Sequence, residues 1–164
     1  MNRLFFICPE CFLENTIREN FDGHHYFLTS LGTVIRKPSY DYATVISKMC
    51  EREKIEEICV IQDSQCTFIK DSVSSKYACD CSETSFIHNL FQDNLHQFSS
   101  KMDIHTVRET LASINVEHQL STLEETTVLK EMISSGKIAL KGFVLNQHSG
   151  QLKKTGERQI EISA

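Results

Sequence analysis

The feature that most constrains the fold is a short apolar run, residues 58–61, that passes directly into a polar turn. Its length and its polar borders predict a buried strand rather than a helix. Residues 4–7 repeat the arrangement near the N-terminus, and cysteines follow both runs, at Cys8 and Cys11 and at Cys66. Ligands of open α/β sheets bind at the carboxyl ends of such strands, so the two turns together form the candidate site.

Helical patterns separate these strands. Residues 40–52 follow Pro38, with Ser39 as a suitable N-cap, and they carry one apolar stripe at helical spacing. The stripe consists of Tyr42, Val45, Ile46, Met49 and Cys50. With a short helix at residues 10–20 and a further strand at residues 26–28, residues 2–61 predict the order β-α-β-α-β, which is typical of a parallel sheet.

The C-terminal half predicts helices and then a hairpin. Residues 86–98 are amphipathic, and Asp103 can cap a further helix with Ile104, Val107, Leu111 and Ile114 facing inward. A strand at residues 138–145 turns near Gly150 into a returning strand at residues 151–154. We expect one domain over residues 1–155 and a polar tail over residues 156–164.

Composition narrows the function classes. The net charge of −5 disfavours nucleic acid as a partner, since phosphate binding needs clustered positive charge. No apolar run reaches the roughly 18–20 residues that a membrane span requires, and the apolar run at residues 4–7 is too short for a signal-peptide core of about 7–15 residues. We therefore expect a cytoplasmic protein with no membrane partner. In that compartment the seven cysteines are expected to be thiols, metal ligands or redox groups rather than disulfides.

The order of these segments resembles the β-class carbonic anhydrases, from the first strand to the C-terminal hairpin. The C-terminal third carries the best match, in residues that are similar to the family's last long helix, final strand and hairpin: Asn115-Val116, Gln119-Leu120, Val128, Gly136-Lys137, Gly142 and Ser149-Gly150. Residues 27–33, with Gly32, resemble the family's strand that ends in Arg-Asn-Ala-Gly-Asn. Residues 60–67 resemble its Gly-His-Ser-x-Cys-Gly segment, and Cys8 begins a stretch similar to Cys-x-Asp-Ser-Arg. The resemblance implies an α/β fold with a mainly parallel central β-sheet, flanking helices and a C-terminal hairpin.

The resemblance also implies roles for particular residues. The family binds zinc through Cys, His and Cys, beside an Asp-Arg pair. By position, Cys8 and Cys66 match the two sulfur ligands and Asp63 replaces the histidine. Glu10 stands in place of the Asp of the pair, and Phe12 in place of the Arg. The family's N-terminal helical arm, which helps to build its dimer, is expected to be missing, which leaves a monomer and a homodimer as alternatives.

Zinc is the metal that this residue set favours. Zn²⁺ takes thiolate and carboxylate ligands in tetrahedral geometry, with sulfur at about 2.3 Å. Cys8, Asp63 and Cys66 would supply three ligands, and water, Glu10 or Cys11 the fourth. The alternative is that the cysteines are small buried hydrophobic residues and that Asp63 caps the following helix.

We expect a diverged, pseudoenzyme-like member of the family that binds zinc or a small ligand such as bicarbonate and hydrates carbon dioxide slowly or not at all. Hydration needs a metal that lowers the pKa of water to about 7, which the negative charge of Asp63 opposes. Phe12 cannot orient a carboxylate as an arginine does. One alternative is an active zinc lyase, a carbonate dehydratase, with a rebuilt site. The other is a thiol redox protein that uses Cys8-Pro9-Glu10-Cys11, where a helix N-terminus favours the first thiolate.

Overall fold

Five strands form one sheet at the centre of the computed structural model, which describes residues 1–36, 40–74, 81–147 and 149–158. The strands are β1 Asn2–Ile7, β2 His24–Thr29, β3 Glu57–Asp63, β4 Ala139–Asn146 and β5 Gln151–Arg158. Their order across the sheet is β2-β1-β3-β4-β5. All neighbours are parallel except β4 and β5, which are antiparallel. The predicted mainly parallel sheet with a C-terminal hairpin is confirmed.

In the part of the chain that the structure describes, six α-helices accompany the sheet: α1 Glu14–Asn20, α2 Tyr40–Arg52, α3 Thr67–Ser72, α4 Ser82–Asp93, α5 Ile104–Glu124 and α6 Thr127–Ser134. Short 3₁₀ helices lie at Pro9–Cys11, Leu31–Thr33 and Leu95–Gln97. Asp103 caps α5 as predicted, because its carboxylate accepts from the backbone N–H groups of His105 and Thr106. Within the described ranges, no helix combines the length and the apolar character that crossing a bilayer requires.

The two strands that carry the candidate turns are neighbours. Every residue of β3 is buried, as expected for an interior parallel strand with helices on both faces. β1 runs parallel to β3, and Phe6, one residue before the end of β1, pairs with Val60, three residues before the end of β3. This register brings the turn after β1 and the turn after β3 to the same edge of the sheet, which is the condition for a shared site.

Three sequence predictions differ from the structure. Val45 of the predicted stripe is 61% exposed and Ile104 is 46% exposed, so neither belongs to the core. Ala43 is buried on α2 instead, because a single helix face is too narrow for all the apolar residues of that segment. The β5 strand continues to Arg158, so residues 156–158 of the predicted tail belong to the sheet. Pro38, Ser39, the side chain of Tyr42 and residues 159–164 lie outside what the structure describes.

Candidate metal centre

The turn after β1 places two cysteines on one side of a 3₁₀ helix. Cys8 is the residue before the helix, Pro9 is its first residue and Cys11 its last. The backbone N–H of Cys11 donates to the carbonyl of Cys8 at 3.2 Å. A 3₁₀ helix has three residues per turn, so side chains three apart lie above one another. Pro9 suits the first position, since proline has a fixed φ and lacks the N–H that would have no partner there.

The turn after β3 supplies the third cysteine. The backbone N–H of Ser64 donates to the carbonyl of Leu145 on β4 at 2.9 Å, which holds the turn against the sheet. The N–H of Cys66 donates to the carbonyl of Asp63 at 3.1 Å and closes the turn. Cys66 is then the N-cap residue of α3. Its side chain is therefore fixed between the end of a central strand and the start of a helix.

The three sulfur atoms of Cys8, Cys11 and Cys66 lie within 4.8 Å of one another. All three side chains are buried, with exposed fractions of 0%, 8% and 2% respectively. Among the residues that the structure describes, these are the ones that combine as a group able to hold a metal ion. The structure thus brings together Cys8 and Cys66 of the predicted ligand set and adds Cys11, which the sequence suggested as a fourth ligand.

The cluster favours a single thiolate. Hydrogen bonds from the thiols of Cys11 and Cys66 lower the pKa of Cys8 from its ordinary value to about 3. The pKa of Cys11 is raised, because its thiol donates within the cluster and is buried. The pKa of Cys66 is also raised: the hydrogen bond with Cys11 lowers it, but the bond with Cys8 and burial outweigh that effect. Further ionisation would need a cation among the sulfurs.

Asp63 lies outside the sulfur group. Its carboxylate is 2% exposed and accepts a hydrogen bond from the backbone N–H of Gln65 at 2.8 Å. Burial raises the pKa of Asp63, against the lowering effect of hydrogen bonds from Gln65 and Gln147. The side chain does not cap α3, whose N-cap residue Cys66 makes no side-chain capping bond. Asp63 closes the turn locally, and its carboxylate is oriented by that role.

No basic side chain stands where the family has the arginine of its Asp-Arg pair. Glu10 is exposed on the 3₁₀ helix. Phe12 follows with a left-handed backbone, φ 50°, and a side chain that is 79% exposed. A benzyl side chain has no hydrogen-bond donor, so Phe12 cannot hold a carboxylate in place.

Three residues that the sequence analysis did not assign to the site contact it. The backbone N–H of Gly32 donates to the sulfur of Cys8 at 3.3 Å. The side-chain amide of Gln147 donates to the carbonyl of Cys11 at 3.2 Å. Arg108 of α5 reaches the side-chain oxygen of Gln65 at 3.5 Å. Gly32 stood within the resemblance to the family, whereas nothing in the helical pattern around Arg108 marked that residue.

The cluster fits zinc by donor chemistry and by size. Tetrahedral zinc with sulfur at about 2.3 Å separates its sulfur ligands by about 3.8 Å. The sulfur separations of up to 4.8 Å therefore require an approach of about 1 Å or less. Thiolates are ligands that zinc prefers in buried sites, and burial excludes competing water.

The fold and the cluster define a class: an open α/β sheet with a sulfur site at the carboxyl ends of its central strands. The family model for carbonic anhydrase matches residues 12–152. Together with the structural matches below, this shows that the chain belongs to the β-carbonic anhydrase family. A search of curated proteins gives no match.

Solved β-carbonic anhydrases share the fold at low sequence identity. One of two enzymes from Sordaria macrospora, described as tetrameric, superposes with a TM-score of 0.80 at 16% identity, over 94% of this chain and 80% of that one. An enzyme from Aspergillus fumigatus gives 0.75 at 18% identity, over 93% and 74% of the two chains. An enzyme from Coccomyxa, solved with acetazolamide, gives 0.74 at 14% identity, over 93% and 70%.

Proposed function

We propose that this member of the family holds zinc through the sulfurs of Cys8, Cys11 and Cys66, with an oxygen atom of Asp63 or of water in the fourth position, and hydrates carbon dioxide slowly or not at all. The observation that supports this most directly is the position of Cys11. Its sulfur belongs to the same buried group as the two cysteines that match the family's ligands. A third thiolate changes both the charge and the openness of the site.

Charge is the first reason to expect slow hydration. Zinc supplies Lewis acidity at such a site, and every anionic ligand reduces it. Cys8, Cys11 and Cys66 would bring three negative charges once their protons are displaced. In the metal-free protein the cluster favours ionisation of Cys8 alone, because the pKa values of the other two thiols are raised. We therefore expect zinc binding to release protons and to leave a weakly acidic centre.

The exposure of the Glu10 carboxylate is the second reason to expect slow hydration. Glu10 is our proposed counterpart of the family's Asp, but it is exposed and the neighbouring Phe12 offers no donor. Water therefore competes for the Glu10 carboxylate, which costs the fixed geometry that catalysis needs. We therefore expect a small molecule such as bicarbonate to bind in this cleft without rapid turnover.

Two measurements on one sample test this proposal. Protein purified without chelator and without added zinc should contain about one zinc per chain by elemental analysis. Stopped-flow hydration of carbon dioxide by that protein should stay near the uncatalysed rate. Turnover in the range of about 10⁴ s⁻¹ or more would instead establish the rebuilt active lyase, since carbonic anhydrases reach about 10⁶ s⁻¹. Absence of zinc would remove the metal proposal.

Thiol redox chemistry is the second candidate, and the lowered pKa of Cys8 beside the Cys11 sulfur favours it. A disulfide between these two residues would remove two hydrogen atoms, taken up by an added disulfide such as oxidised glutathione, which becomes two thiols. Intact mass after such treatment would show a loss of two mass units. A mass unchanged under oxidising conditions, with zinc absent or present, would eliminate this candidate.

The assembly state belongs to the same proposal. A monomer and a homodimer are the two states we expect, and the relatives from Sordaria macrospora are described as tetrameric. Light scattering after gel filtration separates these outcomes. A tetramer would contradict our expectation.

A further inference from the structure

A buried chain of side-chain amides connects helix α5 to the sulfur cluster. Asn115 donates through its amide nitrogen to the carbonyl of Gly32 at 3.1 Å and to the side-chain oxygen of Gln62 at 2.9 Å. Gln119 donates to the side-chain oxygen of Asn115 at 2.8 Å and accepts from the backbone N–H of Ile35 at 2.8 Å. Asn115, Gln62 and Gln119 are all 0% exposed. Both N–H groups and the oxygen of the Asn115 side-chain amide thus have hydrogen-bond partners.

Gly32 is the link between this chain and the metal centre. Its carbonyl accepts from Asn115, and its own N–H donates to the sulfur of Cys8 at 3.3 Å. The residue has a left-handed backbone, φ 62°, and an added Cβ would lie 2.9 Å from the terminal carbon of Ile87 and 3.2 Å from Phe68. The loop is therefore packed from one side by α3 and α4 and bonded from the other side by Asn115. The N–H and the carbonyl of Gly32 belong to adjacent peptide groups, and the Gly32 torsions, φ 62° and ψ 14°, set their relative orientation so that both contacts form together.

We propose that Asn115 is a positioning residue for the metal centre: by holding the Gly32 carbonyl it aims the Gly32 N–H at the Cys8 sulfur and sets how strongly that sulfur donates to a metal. The inference rests on the proposed zinc function for its consequence, but the positioning itself exists in the metal-free protein. An N–H donor withdraws electron density from a thiolate and so tunes the metal–sulfur bond. Asn115 need not touch the metal to act.

The chain offers a matched pair of variants. Asn115→Leu keeps the side-chain size but removes the donor to Gly32. Gln119→Met removes the next amide along and leaves the bond from Asn115 to Gly32 in place. Both residues are fully buried, so both variants lose buried hydrogen bonds and should be destabilised to a similar degree. Asn115→Ala, which removes the donor without adding bulk or a buried charge, is a third variant for use if Asn115→Leu does not fold.

The first readout needs no metal. Amide hydrogen exchange at Gly32, followed by NMR, should become about tenfold faster in Asn115→Leu, the ratio expected for the loss of one hydrogen bond, and should stay unchanged in Gln119→Met. Equal acceleration in the two variants would mean general loosening and would overturn the positioning role. No acceleration in either variant would overturn it as well.

The second readout is the sulfur-to-cobalt charge-transfer band of protein loaded with Co²⁺ in place of zinc. Removing the N–H donor raises the energy of the sulfur electrons, so the band should move to longer wavelength in Asn115→Leu and stay in place in Gln119→Met. A band that fails to move would overturn the effect on the metal bond. If wild-type protein gives no such band, the proposed zinc function fails, while the exchange experiment alone still decides whether Asn115 positions Gly32.

Discussion

The sulfur of Cys11 lies within 4.8 Å of the sulfur of Cys66, so the 3₁₀ helix after β1 and the turn after β3 share one buried group of donors. The Cys66 thiol is fixed by the sheet edge, and the Cys11 thiol by a helix of three residues. This relationship makes the centre richer in sulfur than the Cys, His and Cys set of the family.

Cys11→Ala should weaken zinc binding by roughly 100-fold or more, because losing a ligand costs at least as much as losing a group that supports one. Competition with a chromophoric chelator measures the affinity. The matched control is Cys59→Ala, a buried cysteine of β3 that is not part of the sulfur group. Equal affinities for the two variants would show that Cys11 does not bind the metal.

Asp63→His should not create a carbonic anhydrase. The substitution restores the family's histidine by position, but Phe12 still provides no donor to orient a carboxylate. Hydration rates by stopped flow should remain within about twofold of the wild-type rate. Asp63→Asn, which keeps an oxygen for the Gln65 N–H, is the control for local folding. A rise of several orders of magnitude in Asp63→His would show that the histidine alone was missing.

Gly32→Ala should destabilise the fold by roughly 2 kcal/mol or more, from the left-handed backbone and from the contact with Ile87. Gly150→Ala separates the two effects, because Gly150 has φ 67° and no atom within 4 Å of an added Cβ. That control should cost only about 1 kcal/mol. Urea unfolding of both variants gives the comparison, and equal losses would remove packing against Ile87 as a cause.

Glu57 lies at the other end of β3 and tests the sheet independently of the metal centre. It is 6% exposed and bonds to Arg3 at 2.6 Å and to Lys141. Burial alone would raise the pKa of Glu57, but the hydrogen bonds from Lys141 and Arg3 outweigh burial and lower it. Glu57→Gln should lower the free energy of unfolding by about 3 kcal/mol at neutral pH without changing zinc affinity.

The pH dependence of that loss has a definite sign. The pKa of Glu57 is lower in the folded protein than its ordinary value of 4.5, so the carboxylate's contribution is complete above pH 4.5 and disappears as the pH falls through the folded value. The difference in stability between wild type and Glu57→Gln should therefore be constant near neutral pH and shrink in acid. A difference that grew as the pH fell would contradict the assignment of this ion pair.

The sequence was sufficient for the sheet and for much of the site. A continuous apolar strand such as β3 can only lie in a sheet interior, and the cap at Asp103 is a local interaction, so both were predictable. The exposure of Val45 and Ile104 was not, because spacing on a helix does not say which neighbours arrive to cover it. Side-chain direction set the limit at the site: Cys11 joins the sulfurs, whereas Asp63 bonds to its own turn. The amide chain through Asn115 depends on contacts between distant segments that no local pattern records.

X-ray absorption at the zinc edge of the purified protein counts the sulfur ligands directly. The predicted coordination is three sulfur atoms at about 2.3 Å and one lighter atom at about 2.0–2.2 Å. In Cys11→Ala the sulfur count should fall to two. A wild-type spectrum with two sulfurs and two lighter ligands would contradict the central claim, because Cys11 would then lie beside the metal without binding it.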